Sequence, residues 1–213
     1  MKTLFLSSVY PNPASSVRGT FNRMLCHAME EMGEVRVVAP LPWPEVVKGR
    51  DVRQSVHKSQ SLVQTGCPES SVDGDKVRVA RPVFFYPPKV LRHHYGRFMW
   101  WSVRKTVKRL TFDFRPDWVI SYWAHPDGDA GVRAAQMLGA KSAVIIGGSD
   151  VLLLTKEPKR CEKIKRVLRE SDAVLAICDG LKDRAIELGA APERVHRLYQ
   201  GIDPEVFCQD DRA

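Results

Sequence analysis

A doubly wound α/β domain, with a mainly parallel sheet and helices on both faces, is the fold this 213-residue sequence predicts. Three observations carry the prediction. Short apolar runs alternate with helix-length amphipathic segments, the order of βαβ units. The runs are nearly continuous in apolar character, as strands are when helices cover both faces of a parallel sheet. The chain is also long enough to bury a sizeable core in one domain.

The elements follow in order. TLFLSS (3–8) reads as a buried first strand. Lys2 ahead of an apolar stretch imitates a secretory leader, but the stretch is short and serine-bearing, and YPNP stands where a small-residue cleavage site belongs. A helix is expected over 19–32 and a strand over EVRVVAP (34–40). The stretch from Pro42 to Lys76 is rich in Pro, Ser, Gly and charge, so a short helix around 44–58 or local disorder is expected there. KVRVARPVFFYPP (76–88) reads as a strand that Pro82 pushes toward a sheet edge or a bend. Helices are then expected over 89–111, 126–138, 156–170 and 180–188. Strands are expected over 117–123, 141–148, 172–177 and 194–199. Asp179 is placed to cap the last helix, and Gly189 to supply the left-handed residue that stops it.

Composition narrows the function classes. No apolar run approaches the roughly 20 residues that span a bilayer, which argues against a transmembrane anchor. Five scattered cysteines form no CxxC pair and no metal spacing, which fits a reducing cytosol and predicts no metal centre. The formal net charge of +8 favours anionic partners such as nucleotide phosphates, lipid head groups or nucleic acid, without choosing among them. No recognised nucleic-acid reading motif accompanies it, so none is expected as a partner.

Ligands of an open parallel sheet bind beyond the carboxyl ends of its strands, so each strand-to-helix turn is a candidate. After the first strand, Gly19 and Thr20 open a helix whose free N–H groups suit a phosphate, although an ordinary flexible turn would look the same. In YWAHPDGDAG (122–131), His125 precedes Pro126 and is steered into the turn at a strand end. There it either meets a substrate or bonds to backbone. In IIGGSD, Gly147 and Gly148 permit close backbone approach and Asp150 offers a carboxylate at the same edge, or simply caps a following helix. In the helix over 89–110, Leu91, Tyr95, Phe98 or Met99, Val103, Val107 and Leu110 form one stripe. Arg97, Arg104, Lys105, Lys108 and Arg109 surround Trp101 on the other. That second face fits an anionic membrane surface or a plain solvated helix face.

Taken in order, YPNP…RGTFN, WAHPDGDAG, GGSD and ESDAVLAICDGLKDRAIELGAAPERVHRLYQGIDPEVF resemble the amino-terminal half of a glycosyltransferase family 4 enzyme of the GT-B fold. The resemblance covers nearly the whole chain and is most specific in the closing stretch, where Gly201, Ile202, Asp203 and Phe207 match a common NGvD…F pattern with Gln200 in place of the asparagine. It implies a Rossmann-like domain over 1–199 and the start of an interdomain hinge over 200–213. The carboxyl-terminal domain that holds the donor nucleotide in the family is expected to have no counterpart before Ala213.

The resemblance further implies a retaining transferase that moves a sugar from a nucleotide-sugar donor to a sugar, polysaccharide or lipid-linked acceptor. It implies no cofactor and no metal. Gly19, with Thr20, would approach the donor phosphates, and His125 would sit in the cleft near the transferred sugar. Asp150 matches the aspartate of a motif often reading His-Gly-x-Asp, with Gly147 at the histidine's place and Gly148 after it. The expected setting is cytoplasmic, with weak peripheral contact at an anionic membrane through 89–110, and residues 1–213 alone are expected to fold without catalysing. The alternative reading is a non-enzymatic α/β binding module or partner subunit.

Overall fold

The computed structural model describes residues 1–12, 15, 17–48 and 77–201. In chain order these form β1 (Lys2–Leu6), α1 (Thr20–Glu30), β2 (Glu34–Val38), β3 (Leu41–Pro42), α2 (Trp43–Lys48), β4 (Arg78–Ala80) and β5 (Val83–Phe84). A single 3-10 turn, Arg92–His94, leads into α3 (Tyr95–Leu110), followed by β6 (Trp118–Tyr122) and a wide turn at Ala124–Gly128. Then come α4 (Asp129–Leu138), β7 (Lys141–Ile146), α5 (Ser149–Leu152), α6 (Pro158–Glu170), β8 (Ala173–Ala176), α7 (Asp179–Glu187) and β9 (Val195–Arg197).

Seven strands pair in the order β4-β2-β1-β6-β7-β8-β9, every pair parallel, while β3 and β5 form a separate parallel pair. This is a mostly parallel, Rossmann-like α/β sheet. Alternation along each strand divides the core between the two faces, because successive side chains point to opposite sides. Leu4 and Leu6 face one side with Met99, Val103 and Val107 of α3 and Ala130 and Ala134 of α4. Phe5 faces the other with Val35 and Val37, beneath Cys26 and Met29 of α1. Toward β9, Val144, Ile146, Val174 and Ala176 bury against Ile164, Val167 and Leu168 of α6 and Leu181 and Ala185 of α7. Burying such apolar side chains contributes about 1.5–3 kcal/mol each relative to leaving them exposed.

The expected elements are present, with shifted bounds. The expected strand over 76–88 is divided at Pro82 into β4, which forms one edge of the main sheet, and β5, which leaves it. The expected helix over 89–111 begins only at Tyr95. Leu91 is half-exposed with φ 53° and does not join the buried stripe. Asp179 is the first residue of α7 rather than its cap. Cys178 holds the cap position, and the Asp179 carboxylate instead accepts a hydrogen bond from Arg197 Nη1 at 2.5 Å. Gly189, at φ 100°, follows the end of α7 as expected. The helix expected around 44–58 is present as α2 up to Lys48, and its remainder lies outside the described residues, as do Ile202, Asp203 and Phe207 of the expected hinge.

Candidate active site at the sheet switch point

Strand order reverses at β1, which pairs with β2 on one side and β6 on the other. Connections from these strands leave in opposite directions, and that divergence opens a crevice at the carboxyl edge, where ligands of such sheets bind. The loops after β1, β6 and β7 form its rim.

A carboxylate ties the first two loops together. Asp127, fully buried, accepts hydrogen bonds from the Ser8 backbone N–H and, at 3.0 Å, from Ser8 Oγ. Burial pushes its carboxyl up to about 7, against the downward pull of the Ser8 donors. Asn22 of α1 adds a second tie: its Nδ2 donates to the Val9 carbonyl and, at 3.2 Å, to Ser7 Oγ. Neither tie was read from the sequence. Asp127 stands in the same PDG run that drew attention to His125, but its partner lies 119 residues away and only strand register brings the two together.

Gly19 caps α1 in the left-handed conformation, at φ 79° and ψ 20°. A Cβ there would stand 2.4 Å from the Val9 carbonyl oxygen, so the missing side chain lets α1 press against the loop after β1. The Thr20 hydroxyl donates to the Val17 carbonyl at 2.7 Å and closes the turn that starts the helix.

His125 lies in the Ala124–Gly128 turn, extended at φ −150° and ψ 128°, and is joined to Pro126 by a cis peptide. It is fully buried, and neither ring nitrogen has a hydrogen-bond partner. Burial first and the Arg160 cation second hold the imidazole down at about 4. Asp129 and the backbone of His93 pull it upward, the latter from outside hydrogen-bond geometry. His125 is thus a neutral imidazole near pH 7, able to accept or donate one hydrogen bond but not to carry charge.

Asp150 is also fully buried, with both carboxylate oxygens engaged: Oδ2 accepts from the Ala124 N–H and Oδ1 from the Gly148 N–H, each at 2.9 Å. It staples the β6 and β7 loops beside the short α5, whose preceding residue is Gly148. Gly148 has φ 109°, a conformation that side-chain-bearing residues rarely adopt. Gly147 has a different reason for lacking a side chain, since a Cβ there would meet the Tyr122 hydroxyl and the Trp123 indole nitrogen. Tyr122 packs its ring against Phe21 of α1 at 4.9 Å, and its phenol is pushed upward by burial and by the Asp150 charge. Tyr122 and Trp123 fill the rim from the β6 end, a role that their place in an apolar strand did not announce.

The carboxyl edge therefore gathers Gly19, His125, Gly147, Gly148 and Asp150, with two buried carboxylates acting as ties between loops. Among the described residues no group of three or more His, Cys, Asp or Glu side chains is arranged to hold a metal ion.

A family model described as Glycosyltransferase Family 4 matches residues 19–206. TuaC of Bacillus subtilis (strain 168), whose name assigns it to teichuronic acid biosynthesis as a glycosyltransferase, is 25% identical over 194 residues, covering 88% of this chain and 47% of TuaC. Anabaena HepE, solved in complex with UDP and glucose, superposes with a TM-score of 0.55 at 16% identity over 97% of this chain and 46% of HepE. The UDP-GlcNAc 2-epimerase of Methanocaldococcus jannaschii superposes with a TM-score of 0.56 at 10% identity over 92% of this chain and 45% of the epimerase. The chain spans about half the length of these relatives.

Proposed function

The chain belongs to Glycosyltransferase Family 4, and from that premise we propose that it is the amino-terminal, acceptor-side half of a retaining transferase. Such an enzyme moves a sugar from a nucleotide-sugar donor to a sugar, polysaccharide or lipid-linked acceptor. The observation that carries the reading is the switch-point crevice, where Gly19 at the start of α1, the His125 turn and the Gly147–Gly148 loop share one rim. The complexes of HepE with UDP and glucose and with UDP-glucose support a nucleotide-sugar donor.

In this reading the positive end of the α1 dipole faces the donor diphosphate, and electrostatic preorganisation stabilises the leaving group without a metal. Asp127 and Asp150 hold the three loops in register. His125 orients the transferred sugar once substrate uncovers its ring, because the imidazole is fully buried beneath the rim.

The outer face of α3 supplies a weak membrane contact. Arg97, Arg104, Lys105, Lys108 and Arg109 are exposed there around Trp101, which is 51% exposed with the Arg97 guanidinium 5.0 Å from its ring. Among the described residues no helix is long and apolar enough to cross a membrane.

Calorimetric titration of the purified chain with nucleotide sugars tests the half-enzyme reading. One half of a cleft leaves the donor open to water, so binding no tighter than about 1 mM, roughly 4 kcal/mol, is expected. Micromolar binding, or sugar transfer by residues 1–213 alone, overturns it.

A further inference from the structure

Beside the crevice, two segments far apart in sequence bring cations together. The 3-10 turn Arg92–His94 packs against α6, and both α3 and α6 pack against the Ala124–Gly128 turn at the carboxyl edge. The turn contributes Arg92, His93 and His94, and the first two turns of α6 contribute Lys159, Arg160 and Lys163. Four of these are permanent cations. Among the described residues their ion pairing comes down to a single long contact, Arg160 Nε to Glu157 Oε2 at 3.8 Å. Four positive charges against the carboxylates of Glu157 and Glu162 leave an excess of two. Two carboxylates are engaged elsewhere: Glu162 of α6 by Lys165 at 3.2 Å, and Asp129 of α4 by Arg133 at 2.7 Å and Arg166 at 2.6 Å.

Polar groups beneath the cluster lack partners. Both ring nitrogens of the fully buried His125, Nδ1 of His94 and Nε of Arg160 make no hydrogen bond. Buried polar groups are rarely left so, and each of these calls for a partner. Burial first, then His93, Lys163, Arg97 and Lys159, depress His94, while burial and then Arg160 depress His125, as expected where cations gather. Nothing in the packing of α3 or α6 requires like charges to meet here. Their buried apolar residues, Met99 and Val103 in one core cluster and Ile164 and Val167 in another, anchor each helix without them.

We propose that the Arg92–His94 turn and the amino-terminal turns of α6 form a binding site for a phosphate monoester or diphosphate group, lying against His125. The charge excess matches such a dianion, the positive end of the 13-residue α6 adds to it, and the His94 and Arg160 donors supply directional hydrogen bonds. That the group belongs to the acceptor rests on the transferase reading. That the site binds it does not.

The test measures binding without turnover. Inorganic pyrophosphate is titrated into the purified chain by calorimetry, and co-sedimentation follows with neutral vesicles and with vesicles carrying phosphatidic acid. The variant Lys159→Gln/Lys163→Gln is compared with Lys2→Gln/Lys141→Gln, which removes the same charge at the opposite edge of the sheet. Saturable pyrophosphate binding that weakens about tenfold or more in the first variant and little in the second supports the site. Phosphatidate-dependent sedimentation lost in the same variant supports it with a lipid-borne group as the source. Absence of both kinds of binding, or equal losses in the two variants, overturns it. Micromolar binding of a nucleotide sugar, or sugar transfer by the purified chain, with pyrophosphate binding intact overturns only the half-enzyme reading.

Discussion

Tyr122 places its hydroxyl where a side chain at Gly147 would have to begin: a Cβ there would stand 2.6 Å from that oxygen and 2.9 Å from Trp123 Nε1. Gly147→Ala is therefore an overpacking change, expected to destabilise the domain by about 1–3 kcal/mol. Tyr122→Phe removes the nearest atom and should recover part of that loss, so a double-mutant cycle in urea should show coupling between the two positions. Strict additivity of the two changes would dissociate the glycine from the phenol.

Gly19 is expected to matter to the fold before any ligand arrives. Its φ of 79° and the 2.4 Å approach of a Cβ to the Val9 oxygen combine left-handed strain with a backbone clash. Gly19→Ala should cost about 2 kcal/mol or more and lower the melting temperature of the isolated chain. An unchanged melting temperature would show that the glycine serves a ligand alone.

Two buried groups two residues apart should give opposite pH dependences. His125 titrates at about 4 in the fold, below its ordinary 6.5, so between those values the unfolded chain binds the extra proton and stability is lost as pH falls. Asp127 titrates at about 7, above its ordinary 3.8, so between those values the folded chain binds the extra proton and stability is lost as pH rises. Over pH 4–6.5 the two nearly offset. His125→Asn should leave a stability that declines with rising pH, and Asp127→Asn one that declines with falling pH, each by at most about 1.4 kcal/mol per pH unit. Urea midpoints measured from pH 4 to 7.5 check this, and parallel profiles for wild type and both variants would contradict it.

The face of α3 should bind anionic vesicles weakly, each cation near a charged surface contributing about 1 kcal/mol. Arg104→Gln/Lys105→Gln should reduce co-sedimentation at low salt, and Trp101→Ala should reduce it further. Equal binding to neutral and anionic vesicles would sink this contact.

The order of elements was legible because parallel strands and amphipathic helices announce themselves locally, in runs such as AVII and in the spacing of Met99, Val103 and Val107. Gly147 and Gly148 are legible as glycines, but the reason the sequence suggests is room for a ligand, whereas the fold also needs a positive φ at Gly148 and space for the Tyr122 hydroxyl at Gly147. The reasons for the other residues were not legible either. Asp150 reads as a candidate ligand contact in GGSD, yet both its oxygens are engaged by backbone N–H groups of two loops. Ser8 with Asp127, and Arg92 with Arg160, meet only after the sheet has set its register, and no local period encodes such meetings. Leu91 fits a helical stripe by spacing but precedes the helix start, which the 3-10 turn delays to Tyr95.

The first strand lies inside the sheet, with a neighbour on each side. β1 pairs with β2 soon after it is made, but its other neighbour begins only at Trp118. On a ribosome, more than half of this chain must therefore emerge before that edge of β1 is covered, while the strand stays a row of unsatisfied donors and acceptors open to other chains. The Ser8–Asp127 tie, spanning 119 residues, closes later still. Such distant pairings fold slowly, so the interval between synthesis of β1 and arrival of β6 is when this protein is most exposed to aggregation and most in need of a chaperone.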